Sequence, residues 1–349
     1  MIKKRTVFVL GAGASCPYGY PSGACLREII CFDGGFRDSY FSYLQDRRLN
    51  LNDKDKKVRD IQHFIKIFKN AHIKSIDVFM ANNPKLASTG KYILSFEIFR
   101  AELNSRFGEE AKREQERLDD LRKTPDHKRY LWGTAGFQGG DWYFYLYNRF
   151  LDGLIGIDAL PDFSDGNITF ITFNYDRSLE QFLYNSLRCL YSEVPEDMII
   201  QTLKKLKIIH VYGKIAPLKW ENQTDFVDYK QQIDEPLLER TAKNIETIYE
   251  VKENPELIEA NNLLKQAEVI FFLGFGYAPE NMKILGLPES ISPKCQVYGT
   301  AFNMIKEELD RLNSELHSNR ARDNNVYTAP KYTQIDNVDC LMLLRKYLR

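Results

Sequence analysis

Five apolar runs in this chain each end in glycine or small polar residues, and those endings hold the residue types that could do chemistry. Gly11, Gly13 and Ser15 follow TVFVL, and Thr172, Phe173, Asn174, Tyr175 and Asp176 close NITFITFNYD. His210, Tyr212 and Gly213 close KIIHVYG, Gly274, Phe275 and Gly276 follow VIFFL, and Gly299 and Thr300 close QVYGT. Glycines after a strand let the backbone turn tightly and bring amides up to a phosphate, with the Ser15 hydroxyl as a further donor. An imidazole can serve as a general base, and Asn and Asp can hold hydroxyls or assist a developing cation. Each feature also has a plainer reading. The first loop could be a tight turn without a ligand, because a full dinucleotide fingerprint needs a third glycine where Cys16 stands and an acid some twenty positions on, for which Asp33 is a loose candidate. Asn174 and Asp176 are both favoured helix caps, and a lone histidine on an apolar strand is commonly a satisfied core residue. Taken together, the strand ends describe a nucleotide crevice better than a core.

These residues need a scaffold of buried strands. Val7 to Leu10 run without polar interruption, as in a strand covered on both faces of a parallel sheet. Similar strands are expected at 168–173, 207–212, 269–273 and 296–298, with an amphipathic helix through Leu179, Phe182, Leu183, Leu187 and Leu190 and a last one through Ile305, Leu309, Leu312 and Leu316. The alternation predicts an α/β fold, a Rossmann-like parallel sheet with helices on both faces. It is interrupted from about residue 37 to 162, where long helical patterns replace it: Val58, Ile61, Phe64, Ile65 and Phe68 share one face, and a narrower stripe runs through Phe99, Leu103, Phe107, Leu118 and Leu121. The expected division is a nucleotide-binding domain from 1–36 and 163–349, and a helical insertion subdomain over 37–162. Residues 134–140 read as a glycine-rich break, and WYFYLYNRFL after it as aromatic core. Period-two spacing places His210 and Tyr212 on one face of their strand.

The 349 residues carry 48 basic and 48 acidic side chains, which gives no electrostatic argument for direct nucleic-acid binding. The apolar start is too short for a signal peptide, and nothing approaches the ~18 apolar residues of a membrane span. Six cysteines without a CxxC pair and five scattered histidines argue against a metal site. A cytoplasmic protein with reduced thiols is expected.

GAGAS with GYP at Gly19 to Pro21, and TFNYD at Thr172 to Asp176, together resemble the sirtuin catalytic core, and more closely the sirtuin-like effectors of bacterial antiphage defence. SIDVF at Ser75 to Phe79 resembles a motif in the helical insertion of those effectors. The resemblance covers about two thirds of the chain. It implies NAD bound across the crevice as substrate, with Ala12, Gly13 and Ser15 at the phosphates, Pro21 in the cofactor loop, and Asn174 and Asp176 near the nicotinamide ribose. Gly11, Thr172, Gly274, Phe275, Gly276 and Thr300 complete the expected cofactor contacts as strand-end residues.

Departures from the family narrow the expected activity. Gly23 and Ala24 stand where protein deacylases have Phe and Arg, the zinc cysteines are missing, and Phe173 replaces the strand glutamine. Deacylation is thereby disfavoured, and NAD cleavage is expected to give nicotinamide and ADP-ribose or its cyclic form. Asn174 would orient ribose or water, Asp176 would assist the cation, and His210 would act as base, with Tyr212 as the fallback because it precedes Gly213 where the family has its histidine. Family members work with a separate sensor (a translocase ATPase, an argonaute or a nucleotide-signal system), so a regulatory partner or homo-oligomerisation through the insertion is expected. Alternatives are an NAD- or ADP-ribose-sensing module without chemistry and a Rossmann oxidoreductase.

Overall fold

The computed structural model describes residues 2–31, 40, 51–105, 140–156, 159–251, 254–317 and 332–348. Its strands are β1 (Thr6–Leu10), β2 (Ile168–Thr172), β3 (Lys207–His210), β4 (Val269–Leu273), β5 (Gln296–Thr300) and β6 (Tyr332–Asp336). They form one sheet in the order β3-β2-β1-β4-β5-β6, parallel throughout. Every residue of β1, β2 and β4 is buried, which is why these strands are apolar on both faces. On one face Phe8 stacks between Phe170 and Phe271 at centroid distances of 5.2 and 5.4 Å, and Phe271 stacks on Tyr298 at 5.3 Å. The chain winds outward one way from β1 to β3, then returns beside β1 and winds the other way. That reversal makes this a Rossmann-like α/β fold and puts the topological switch point, where such sheets form ligand crevices, between the carboxyl ends of β1 and β4.

The helices, in chain order, are α1 (Ala12–Ser15), α2 (Gly23–Cys31), α3 (Leu51–Asn70), α4 (Ile76–Asn82), α5 (Pro84–Leu103), α6 (Trp142–Leu151), α7 (Ser178–Leu190), α8 (Glu196–Lys205), α9 (Glu235–Thr241), α10 (Pro255–Gln266), α11 (Pro279–Ile284), α12 (Lys306–His317) and α13 (Cys340–Tyr347). Within the segment expected to be helical, α3 to α6 are so, and Phe64, Phe68 and Phe79 close a shared core. Most of the stripe beyond Leu103, the 134–139 break and Asp33 lie outside the described residues.

Two expectations change. β3 ends at His210, because the Gly213 amide donates to the His210 carbonyl at 3.0 Å and Gly213 takes φ 72°. Val211 and Tyr212 therefore belong to a turn, and the shared face expected for His210 and Tyr212 does not exist. The sixth strand, β6, was not anticipated.

The helical segment is held to the sheet by a buried ion pair. Arg177, at the start of α7, donates from Nε and Nη2 to the two carboxylate oxygens of Glu102 on α5, both at 2.9 Å, and both side chains are fully buried. Its remaining donors meet the carbonyls of Pro217, Val227 and Asp228, while Glu102 also accepts from the Lys230 amide at 2.8 Å. Removing one partner leaves the other charge buried and uncompensated, at a cost of about 3–5 kcal/mol. We expect Glu102→Gln to lower stability by roughly that amount in urea denaturation. Glu102→Leu combined with Arg177→Met should recover only part of the loss, since three carbonyls then lack their donor; full recovery would show that the pair is dispensable.

Candidate functional site

The glycines after β1 serve first to let two loops cross. A Cβ on Gly11 would lie 2.6 Å from the Gly274 carbonyl oxygen, one on Gly13 would lie 2.9 Å from it, and one on Gly274 would lie 2.0 Å from the Ala14 nitrogen. The Gly13 amide donates to the Gly274 carbonyl at 3.1 Å, so it is committed to the protein and does not point at a phosphate. Ala12, Gly13 and Gly274 remain half-exposed at the crevice mouth, Gly276 is exposed with nothing within 4 Å of its would-be Cβ, and Pro21 is half-buried. Thr300 accepts the Gly274 amide at 2.8 Å and Thr172 accepts the Asn174 amide at 3.1 Å, so both hydroxyls shape loops. Phe275 is buried against Phe173 and Phe272, with centroids 5.3 and 5.4 Å away.

Trp142 and Tyr143 of α6 back this loop from outside the sheet. The Trp142 indole donates to the Ala14 carbonyl at 2.8 Å, and Tyr143 stacks on Tyr18 at 3.8 Å while its amide donates to the Tyr18 hydroxyl at 2.7 Å. Of the aromatic run expected to be core, Trp142, Tyr143, Tyr147 and Phe150 are buried while Phe144 is 61% exposed, and the buried part also fixes the loop. Tyr175 donates to Asp77 of the SIDVF stretch, which ties α4 to the end of β2.

Asn174, Ser15 and Asp176 meet. Asn174 Nδ2 donates to Ser15 Oγ at 2.9 Å, and Ser15 also bonds the Asp176 carboxylate. Asp176 Oδ1 accepts the Ser178 amide at 3.0 Å and its hydroxyl, so Asp176 caps the start of α7. Burial pushes the Asp176 carboxyl above its ordinary range, against the pull of the Ser178 and Ser15 hydrogen bonds. Asn174 Oδ1 is different: it is buried and has no hydrogen-bond partner. Such an acceptor costs about 1–3 kcal/mol unless something fills it.

His210 does not reach the site as a base. Its Nδ1 lies 2.9 Å from the Asn174 carbonyl and its Nε2 2.7 Å from Glu180 Oε1, so both nitrogens face acceptors. Both ring nitrogens are thus engaged within the protein, and the ring holds the Asn174 backbone in place. Tyr212, the fallback, donates to Asn281 at 2.7 Å and is raised by burial, so it stays protonated. The sequence reading missed Glu180 and Lys214. Glu180 is itself bonded by Lys214 at 3.3 Å, and Lys214 pairs with Glu221. Burial alone would raise Glu180, but Lys214 and His210 outweigh it and hold the carboxyl down at about 2. The signal was present in the spacing, since Glu180 falls in phase with Leu183 and Leu187 on the buried face of α7.

Among the described residues, no group of three or more His, Cys, Asp or Glu is arranged to hold a metal ion, and no helix is long and apolar enough to cross a membrane. No protein-family model matches the chain, and no curated protein is significantly similar to it.

Because the folded Glu180 carboxyl titrates below its ordinary value of 4.5, its contribution is complete above that value and is lost as pH falls toward about 2. Glu180→Gln should therefore be less stable than the parent by roughly 1.5–3 kcal/mol at neutral pH. The gap should shrink through this acid window, as measured by denaturation at stepped pH; a gap independent of pH would refute the ion-pair assignment.

Proposed function

We propose that the crevice binds NAD and cleaves its nicotinamide glycosidic bond, giving nicotinamide and ADP-ribose or the cyclised product. The observation that carries this reading is the unpartnered Asn174 Oδ1 beside Ser15 of the glycine loop, a buried acceptor waiting for a hydroxyl or a water. In NAD the leaving base is a pyridinium. Its departure takes the bonding electron pair, yields neutral nicotinamide and leaves an oxocarbenium-like ribose, so bond cleavage itself needs no proton. Water then adds at C1′ and loses a proton. Asn174 Oδ1 orients the ribose hydroxyl or that water, and Asp176, linked to Asn174 through Ser15, is the carboxylate that takes the proton. Gly276, Pro21 and the half-exposed Ala12 to Gly13 stretch offer backbone and small side chains to the pyrophosphate. His210 acts as a positioning residue, a change from the base role the sequence suggests.

A second reading is favoured by one observation. Both nitrogens of His210 are committed, and that arrangement also suits a module that holds NAD or ADP-ribose without turnover. Unchecked NAD cleavage would harm its own cell. We therefore propose a regulated effector of antiphage defence in the cytoplasm, controlled by self-association or by a translocase ATPase, argonaute or nucleotide-signal partner docking on the helical segment.

Incubating the chain with NAD, alone and with candidate partners, and separating products by chromatography tests both readings. Nicotinamide and ADP-ribose should appear together, and Asn174→Ala should reduce their rate by about 100-fold or more while NAD still binds. Intact NAD in every mixture with binding retained would replace the hydrolase reading with the sensor.

A further inference from the structure

A groove of about 810 Å³ opens at the edge of the sheet opposite the crevice. It is lined by Thr6, Val269, Gln296 and Tyr332, the first residues of β1, β4, β5 and β6, so about 17 Å of strand separates it from the glycine loops. Its volume is within the range of small-molecule sites. The lining holds basic side chains and no acidic one. Lys346 is answered by Asp336 at 2.7 Å, but Lys3 and Lys4 have no carboxylate partner among the described residues, and Lys4 bonds only the neutral Gln296, at 3.1 Å. Arg149 bonds Asp152 through Nη1 at 2.7 Å, yet its Nε is buried with no hydrogen-bond partner.

The other wall is aromatic. Tyr298 is already covered, stacked on Tyr347 at 4.4 Å and on Phe271 at 5.3 Å. Tyr332 leans on Tyr298 at 5.8 Å but is 42% exposed, which leaves a ring face open at the groove. Unpaired cations beside an open aromatic face match a ligand that carries both an anion and a flat ring.

We propose that this groove binds a nucleotide, its phosphate held by Lys3, Lys4 and Arg149 and its base stacked on Tyr332. The site is independent of the crevice and of NAD cleavage. Neither the glycine loops nor Asn174 contributes to it.

Titration calorimetry of the full chain with AMP tests the proposal, with inorganic phosphate as the ringless probe. AMP should bind. Lys3→Glu with Lys4→Glu should weaken it tenfold or more, Tyr332→Ala should weaken it several-fold, and Asn174→Ala should leave it unchanged. Lys3, Lys4 and Tyr332 are exposed, so their variants should keep the parent's unfolding midpoint, which is measured alongside for every variant. No binding of AMP overturns the proposal, as does an affinity that the groove substitutions leave alone. Phosphate binding as tightly as AMP, or AMP binding lost in Asn174→Ala but kept in the groove variants, also overturns it.

Discussion

A guanidinium buried away from water must find a partner for every donor, and Arg177 does so by drawing three stretches of chain to the start of α7. Its five N–H groups meet Glu102 of α5 and the carbonyls of Pro217, Val227 and Asp228. Tyr229, whose ring lies 5.8 Å from the guanidinium, bonds Tyr20 at 2.9 Å and Ser105 at 3.0 Å. Tyr20 directly precedes Pro21, so the same cluster fixes the loop after the glycine turn. Arg177 also directly follows Asp176. The position of the Asn174 to Asp176 stretch, the distance of the helical segment from the sheet and the course of the 217–230 segment are thus one constraint, since none can shift without exposing an uncompensated charge to a low-dielectric interior.

The glycine loop shows how one sequence feature can satisfy two demands. Gly11, Gly13 and Gly274 are required because two loops cross backbone to backbone, and a methyl group at any of them would collide with main-chain atoms. That crossing brings the ends of β1 and β4 together and sets the width of the crevice between them. It also consumes the Gly13 amide. The crossing leaves small residues beside the polar group of Asn174, Ser15 and Asp176.

Much of this was legible in the residues because buried parallel strands leave unbroken apolar runs, and β1, β2 and β4 have them. β6 escaped for the opposite reason. It is an edge strand with the sequence YTQID, in which Ile335 is the one fully buried residue, so it reads as polar loop. The end of β3 was misplaced because Val211 and Tyr212 are as apolar and β-prone as the strand before them; the turn is set by Gly213, whose positive φ follows from a backbone bond that composition does not reveal. Charged residues were the largest loss. Arg177, Glu180 and Lys214 look like a solvated helix and loop surface until the partner is known, and Glu102 lies 75 residues from Arg177 while Glu180 lies 30 from His210 and 34 from Lys214.

Those buried charges also decide what His210 can do. Glu180 is buried and is met by His210 Nε2 at 2.7 Å and by Lys214 at 3.3 Å, while Lys214 also pairs with the partly exposed Glu221. The histidine is therefore held to the role its contacts describe, fixing the backbone of Asn174 while the buried Oδ1 of that residue has no hydrogen-bond partner. The position of Asn174 is thus set by a side chain that contacts its backbone and not its amide group.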